Sequence, residues 1–149
     1  VNLWGAINCI HAVLPHMIER GSGSIVSISS DAGRMGEYRE AVYSACKAGV
    51  IALSKSIARE TGRYGLRLNV VCPGLVVPAE EESISAESMW NQMRDIFTDD
   101  VMERVKRNYL FRRLATGSEV ANAVVFLASD AASFITGQTL SVSGGYTMM

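Results

Sequence analysis

Tyr43 and Lys47 stand four residues apart in EAVYSACKAGV, a run of mostly small and apolar residues. On a helix this spacing places both side chains on one face, about one turn apart. A phenol is a poor base near neutral pH, but an ammonium group one turn away favours the phenolate. The pair could therefore exchange a proton with an alcohol or carbonyl oxygen. The alternative is a tyrosine that only packs and a lysine that is only solvated.

Ser30, thirteen residues before Tyr43, offers a second hydroxyl. It follows SIVSIS (24–29), a short β-branched run that predicts a buried strand leading into a polar loop. The loop is long enough to fold back, and a hydroxyl donor beside an acid would polarise a carbonyl. Hydrolysis is a weaker alternative, because no GxSxG motif is present and both His11 and His16 lie on the first predicted helix.

The elements that must position these side chains alternate between helix and strand. Helical spacing of apolar residues opens the chain, and glycine or proline marks most element ends. The sequence predicts, in order, a helix that ends near 20–23, the strand 24–29, a helix over about 41–63, a strand over about 67–72, two short amphipathic helices within 78–117, a helix capped by Ser118 and a last strand over 138–145.

This alternation predicts an α/β fold with a parallel sheet and helices on both faces. Only three strands are predicted, so the first strand would have an uncovered edge, which is unfavourable in a free-standing domain. We interpret residues 1–149 as one partial domain, the C-terminal half of a doubly wound fold.

Ligands of open parallel sheets bind at the carboxyl ends of the strands. The segments to examine are therefore 29–40, 72–78 and 143–146. The long insertion 78–117 is charged and rich in methionine and aromatic residues, and we interpret it as a substrate lid. Its apolar residues could equally be the inner faces of two packed helices.

Composition excludes several classes of partner. The net charge is −1, with 48% hydrophobic and 19% charged residues, and the basic residues are scattered, so we expect no nucleic acid and no membrane as partner. Three distant cysteines without clustered histidines indicate reduced thiols, no disulfide framework and no metal site. We find no leader and no apolar stretch long enough to span a bilayer, and expect a cytoplasmic protein.

Four motifs in order, SIVSISSDAG, YSACK, NVVCPG and ITGQTLSVSGG, resemble the short-chain dehydrogenase/reductase family over essentially the whole chain. The resemblance implies a Rossmann-type fold and an NAD- or NADP-dependent enzyme that interconverts a secondary alcohol and a ketone. It also implies a homodimer or homotetramer. Within the family, the motifs are most similar to those of cyclic hydroxyacyl-CoA dehydrogenases and 3-oxoacyl reductases, so an acyl thioester or cyclic substrate is expected.

The family's catalytic roles carry over to four residues. Tyr43 matches the acid/base, and Lys47 matches the residue that favours its ionised form and contacts the nicotinamide ribose. Ser30 matches the donor that orients the substrate oxygen. Asn2, in VNLWG, matches the asparagine that holds a water for proton relay, although a polar residue there could simply cap the helix.

The family's cofactor contacts carry over less completely. Pro73 and Gly74 match the turn beside the nicotinamide, and Val76 matches the residue whose backbone reaches its carboxamide. Two positions depart from the family pattern: Pro78 replaces a common threonine, and Ser143 replaces a common aspartate.

The family's TGxxxGxG turn is missing from these 149 residues. Without it the diphosphate has no glycine-rich turn to bind, so we expect the fragment alone to be inactive and assign activity to a longer parent protein. The alternative is a truncated or regulatory relative that binds a partner or ligand without turnover.

Overall fold

The computed structural model of the chain describes residues 1–78, 87 and 95–149. Within these residues the helices are α1 (Asn2–Arg20), α2 (Ala32–Met35), α3 (Ala41–Thr61), α4 (Asp99–Lys106) and α5 (Gly117–Ala128). The strands are β1 (Gly23–Ile28), β2 (Leu66–Pro73), β3 (Val76–Val77), β4 (Ala115–Thr116) and β5 (Thr139–Val142). Short 3-10 turns follow α3 and α5, at Gly62–Tyr64 and Asp130–Ala132.

The main sheet has the order β1, β2, β5, and both pairings are parallel. The predicted α/β fold with a parallel sheet is therefore confirmed. Ile28 lies opposite Val71, and Pro73 lies opposite Val142, so the carboxyl ends of all three strands meet at one edge. Among the described residues, β1 pairs with β2 alone, which leaves its other edge uncovered as the sequence indicates.

The central strand β2 is buried on both faces because helices cover both sides of the sheet. On one face, Leu66 and Leu68 pack with side chains of α1 and α3, including Leu14. On the other face, Val71 packs against Leu127 of α5. Each fully buried aliphatic side chain of this size contributes about 1.5 to 3 kcal/mol, so the two clusters hold the strand ends in register.

The cap of α5 differs from the prediction. Thr116, not Ser118, is the N-cap: its hydroxyl accepts from the Glu119 backbone N–H, and Glu119 in turn accepts from the Thr116 N–H. This reciprocal pair satisfies two backbone donors, which a cap at Ser118 would not do for a helix that begins at Gly117.

The last strand is shorter than the predicted 138–145 and ends at Val142. Gly144 and Gly145 adopt φ of 57° and 82°, so the chain turns there instead of continuing as a strand. The small parallel sheet of β3 and β4 was not predicted, since two-residue strands have no periodicity to detect. Other boundaries of the main sheet and α3 lie within two residues of prediction.

The interpretation of 78–117 as two amphipathic helices is only partly covered by the structure. One helix, α4, is present, with two aspartates in its first turn and basic residues in its last, a distribution that suits the helix dipole. The remainder of the prediction falls on 79–86 and 88–94, outside the described residues. Across the described part of the chain, no helix is both long and apolar enough to cross a bilayer.

The segment after Ser30, predicted as a loop, contains the short helix α2, which packs against α3. Its first turn forms because the Gly33 N–H donates to the Ser30 carbonyl. A Cβ at Gly33 would lie 2.7 Å from the Ala48 backbone nitrogen and 2.7 Å from the Lys47 carbonyl carbon. Glycine therefore permits a backbone approach that brings Ser30 to the α3 face carrying Tyr43.

Gly33→Ala should destabilise the protein by about 1 to 3 kcal/mol, because the new methyl group overlaps the backbone of α3. Urea unfolding measures this loss. Gly62→Ala is the matched control: nothing lies within 4 Å of a Cβ there and its backbone is right-handed helical, so its unfolding midpoint should change little. Equal midpoints for Gly33→Ala and the unsubstituted protein would contradict the close approach.

Candidate functional site

A cavity of about 850 Å³ opens at the carboxyl edge of the sheet. All three segments predicted from the strand ends contribute to its wall. The first provides Ser30 and Glu37, the second provides 73–75, and the third provides Tyr146. The rest of the described wall comes from the start of α3 and from residues of the 95–109 region.

Ser30 and Tyr43 line this one cavity, although they come from different elements. Ser30 follows β1, and its Oγ accepts from the Ala32 N–H at 3.2 Å, which leaves the hydroxyl proton available as a donor. Tyr43 lies in the first turn of α3 and is 37% exposed. A hydroxyl donor and a phenol thus face the same space, as the folded-back loop requires.

Lys47 lies beside Tyr43 and is tied to β1. Its Nζ donates to the Ile28 carbonyl at 3.0 Å and is 5.6 Å from the centroid of the Tyr43 ring. Desolvation by partial burial lowers the pKa of Lys47, and charge interactions with Cys72 and Cys46 oppose this. The amine is therefore held next to the phenol, unlike the free solvated lysine of the packing alternative.

A second hydrogen bond links β1 to α3 at the same place. Ser29, at the end of β1, donates its hydroxyl to the Lys47 backbone carbonyl at 2.8 Å. Because Lys47 Nζ bonds back to the Ile28 carbonyl, strand and helix are linked in both directions within two residues of Ser30. No local pattern in the sequence indicates the Ser29 bond, because it depends on the contact between β1 and α3.

Three predicted site residues, Asn2, Lys47 and Val76, are absent from the described cavity wall, although the Lys47 amine lies beside the Tyr43 ring. Asn2 is the exposed first residue of α1, and it is absent from the described wall. Its neighbour Leu3 packs near Gly49, so the start of α1 lies against α3, two residues past Lys47. Val76 lies in β3, paired with Ala115, and the wall contains 73–75 in its place.

Two stacked tyrosines form a part of the cavity wall to which the sequence pattern assigned no role. Tyr109 and Tyr146 stack with ring centroids 5.0 Å apart and an interplanar angle of 17°. The Tyr109 hydroxyl accepts from the Leu75 N–H at 2.9 Å, and Tyr146 donates to Glu37 Oε2 at 2.5 Å. Four segments distant in sequence are joined in this way, so no local pattern could have revealed the pair.

These contacts also set the protonation of the two phenols. Burial raises the pKa of Tyr109, an effect that the Leu75 N–H opposes and the charges of Asp31 and Glu37 reinforce. Burial, followed by the hydrogen bond and charge of Glu37, raises the pKa of Tyr146 well above its ordinary value. Both therefore remain neutral, and neither is a base near neutral pH.

The packing of Tyr109 also explains why position 74 is a glycine. A Cβ at Gly74 would lie 3.0 Å from Tyr109 Cε1 and 3.2 Å from Ser143 Cβ. The glycine therefore lets the 73–75 backbone sit directly on the Tyr109 ring, which is 3% exposed. The position of this loop depends on the tyrosine beneath it.

Asp31 is the other residue that the sequence reasoning missed. It is 1% exposed, accepts from Ser141 Oγ at 2.7 Å and lies 3.4 Å from Arg34 Nη1. Ser141 Oγ is also 2.7 Å from Ser143 Oγ. The carboxylate of this cluster thus comes from Asp31, beside Ser30, while Ser143 contributes a hydroxyl. The network joins the end of β1 to β5 at the cavity wall.

The described residues contain no group of three or more His, Cys, Asp or Glu side chains arranged to hold a metal ion. Ser30 and Tyr43 each offer a hydroxyl to this cavity, with an amine beside the phenol. That is the chemistry of carbonyl polarisation and proton exchange.

Comparison with curated proteins finds reductases. The 3-oxoacyl-(acyl-carrier-protein) reductase of Staphylococcus epidermidis is 40% identical over 147 residues, covering 99% of this chain and 55% of that protein. The acetoacetyl-CoA reductase of Synechocystis is 40% identical over 147 residues, covering 98% of this chain and 56% of that protein. The chain thus spans about half the length of the curated relatives it matches.

Solved structures are similar in fold. The gluconate 5-dehydrogenase of Burkholderia cenocepacia, solved in complex with NADP and tartrate, aligns with a TM-score of 0.84 at 31% identity, covering 98% of this chain and 53% of that one. The family model described as enoyl-(acyl carrier protein) reductase matches residues 1–147. Since that match extends over nearly the whole sequence, the chain belongs to the short-chain dehydrogenase/reductase family.

Proposed function

We propose that the complete protein carrying this chain is an NAD(P)-dependent oxidoreductase that interconverts a secondary alcohol and a ketone on an acyl thioester. The observation that carries the proposal is the convergence of Ser30 and Tyr43 on one cavity, with the Lys47 amine 5.6 Å from the Tyr43 ring. Membership of the family supports it, as do the reductase names of the relatives.

In the direction of reduction, Tyr43 donates its proton to the carbonyl oxygen of the substrate. Ser30 donates a second hydrogen bond to that oxygen and fixes its position, while its own oxygen is held by the Ala32 N–H. In this proposal the Lys47 amine, bound to the Ile28 carbonyl, stays beside the Tyr43 ring during the proton transfer. In oxidation the same groups remove the proton from the alcohol.

The residues at the end of β2 suit a nicotinamide. The 73–75 backbone lines the cavity beside Ser30 and Tyr43, and we propose that Pro73 and Gly74 hold the ring with Lys47 on its ribose. Bound there, NAD or NADP supplies or accepts the hydride. Val76, whose backbone was expected at the carboxamide, lies beyond this wall, and Leu75 offers the nearer backbone.

The substrate class follows from the wall and the relatives. Phe97, Val105, Asn108 and Tyr109 line the cavity, which supports our proposal that 78–117 is the substrate lid. The matched relatives are named for 3-oxoacyl and acetoacetyl thioesters, so a 3-oxoacyl thioester is the substrate to test first.

Three further expectations belong to the same proposal. We keep Asn2 as the residue that holds a relay water, although its present position is at the exposed start of α1. The NADP in the similar dehydrogenase structure supports a nicotinamide cofactor, with NAD and NADP both to be assayed. A homodimer or homotetramer in the cytoplasm remains the expected state.

Tyr43→Phe in the complete protein should reduce kcat for NAD(P)H-dependent reduction of acetoacetyl-CoA by about 10² to 10⁴-fold, because it removes the proton donor and leaves the ring. Steady-state assay of cofactor oxidation measures the loss. Tyr38→Phe is the control, since Tyr38 is 85% exposed and outside the cavity wall. Turnover retained by Tyr43→Phe would refute the role given to this phenol.

Tyr109→Phe should raise KM for the nicotinamide cofactor by about tenfold and change kcat much less. It leaves the Leu75 N–H without its acceptor beside the 73–75 backbone, a loss of about 1 to 3 kcal/mol for a buried donor. The control is Tyr64→Phe, on an exposed ring that contacts Arg63 in the 3-10 turn after α3. An unchanged cofactor KM for Tyr109→Phe would show that the hydroxyl does not position this loop.

A further inference from the structure

The described wall of the cavity carries more acidic than basic charge. Its charged residues are Asp31, Glu37 and Glu40 on the acidic side and Arg39 on the basic side. Asp31 is buried and already bound by Ser141 and Arg34, so it faces the cavity as a paired group. Arg39 and Glu40 are both exposed to solvent, where their charges are screened, whereas Glu37 is half-buried. The described wall therefore carries one more unpaired carboxylate than guanidinium, and Glu37 is the least screened of these charges.

Glu37 is held in place at three points. Its Oε2 accepts from the Tyr146 hydroxyl at 2.5 Å, and its Oε1 accepts from the Tyr38 N–H at 3.0 Å. Its own N–H donates to Ser44 Oγ at 3.2 Å, which fixes the backbone against α3. These contacts hold the Glu37 carboxylate in the cavity wall.

Glu40 brings a second carboxylate close to the proposed reacting centre. It is the residue directly before α3, and it lines the same cavity as Tyr43. Desolvation raises the pKa of Glu40, and the charge of Glu37 raises it further, which indicates that the two carboxylates repel each other. Their fields overlap, and they also act together on Tyr146.

A cleft lined with charge of one sign excludes ligands of the same sign. In a free 3-oxo acid the carboxylate lies two bonds from the carbonyl carbon that Tyr43 and Ser30 would bind. In an ester or thioester of the same acid that position is uncharged. The wall should therefore distinguish the two forms by charge alone.

We infer that Glu37, positioned by Tyr146, and Glu40 are specificity determinants that reject substrates with a free carboxylate beside the reacting carbonyl and admit the neutral thioester or ester. This inference rests on the proposed function and identifies how the site selects its substrate class. Forming the thioester thus removes the negative charge that the wall repels. This effect adds to any contact between the protein and the carrier of the thioester.

The test compares acetoacetate with ethyl acetoacetate, which share one 3-oxo skeleton and differ in charge. In the complete protein, the double variant Glu37→Gln with Glu40→Gln should raise the ratio of kcat/KM for the acid to that for the ester by about tenfold. Glutamine at position 37 can still accept the Tyr146 hydrogen bond. Glu60→Gln, an exposed position at the far end of α3, is the control and should leave the ratio as it is.

A second measurement needs no variant. Raising the ionic strength from about 0.05 to about 0.5 M should raise the same ratio in the unsubstituted protein, because salt screens repulsion at an open cavity. A ratio that responds neither to salt nor to the double variant, with the ester still reduced, overturns this inference alone. Failure to reduce the ester and acetoacetyl-CoA with either cofactor overturns the proposed function and this inference with it.

Discussion

The site depends on how closely the end of β1 approaches α3. Three contacts make that approach: the Ser29 hydroxyl on the Lys47 carbonyl, the Lys47 amine on the Ile28 carbonyl, and Gly33 against the α3 backbone. Together they place a strand-end serine and a helix-start tyrosine on one cavity. Lys47 takes part in all three contacts, so its backbone helps to assemble the site that its amine then supports.

Because the strands of the sheet are parallel, their carboxyl ends bring the other parts of the cavity wall to the same edge. β2 carries the 73–75 segment to the same edge, and β5 brings the chain to Tyr146. Tyr109 and Tyr146 then link the far wall to Leu75 and Glu37. The described wall combines two hydroxyls, from Ser30 and Tyr43, with the Glu37 carboxylate that Tyr146 holds, a set of groups that suits a neutral, polarisable carbonyl compound.

Much of this arrangement could be predicted from the sequence, because it depends on the periodicity of apolar residues or on short spacings between residues. The strand 24–29, the helix from 41 and the pairing of Tyr43 with Lys47 follow from such patterns. The Tyr146 to Glu37 bond and the Asp31 network could not be predicted, because their partners are about 110 residues apart in the chain. Thr116 was missed as a cap because Ser118 fits a helix start equally well until the backbone shows where α5 begins.

The central claim is that Ser30 and Tyr43 bind one substrate oxygen. The most direct measurement is a crystal structure of the complete protein with oxidised cofactor and a 3-oxoacyl thioester. The account predicts the ketone oxygen within about 3.2 Å of both Ser30 Oγ and Tyr43 Oη. A bound ketone whose oxygen contacts neither hydroxyl would contradict it.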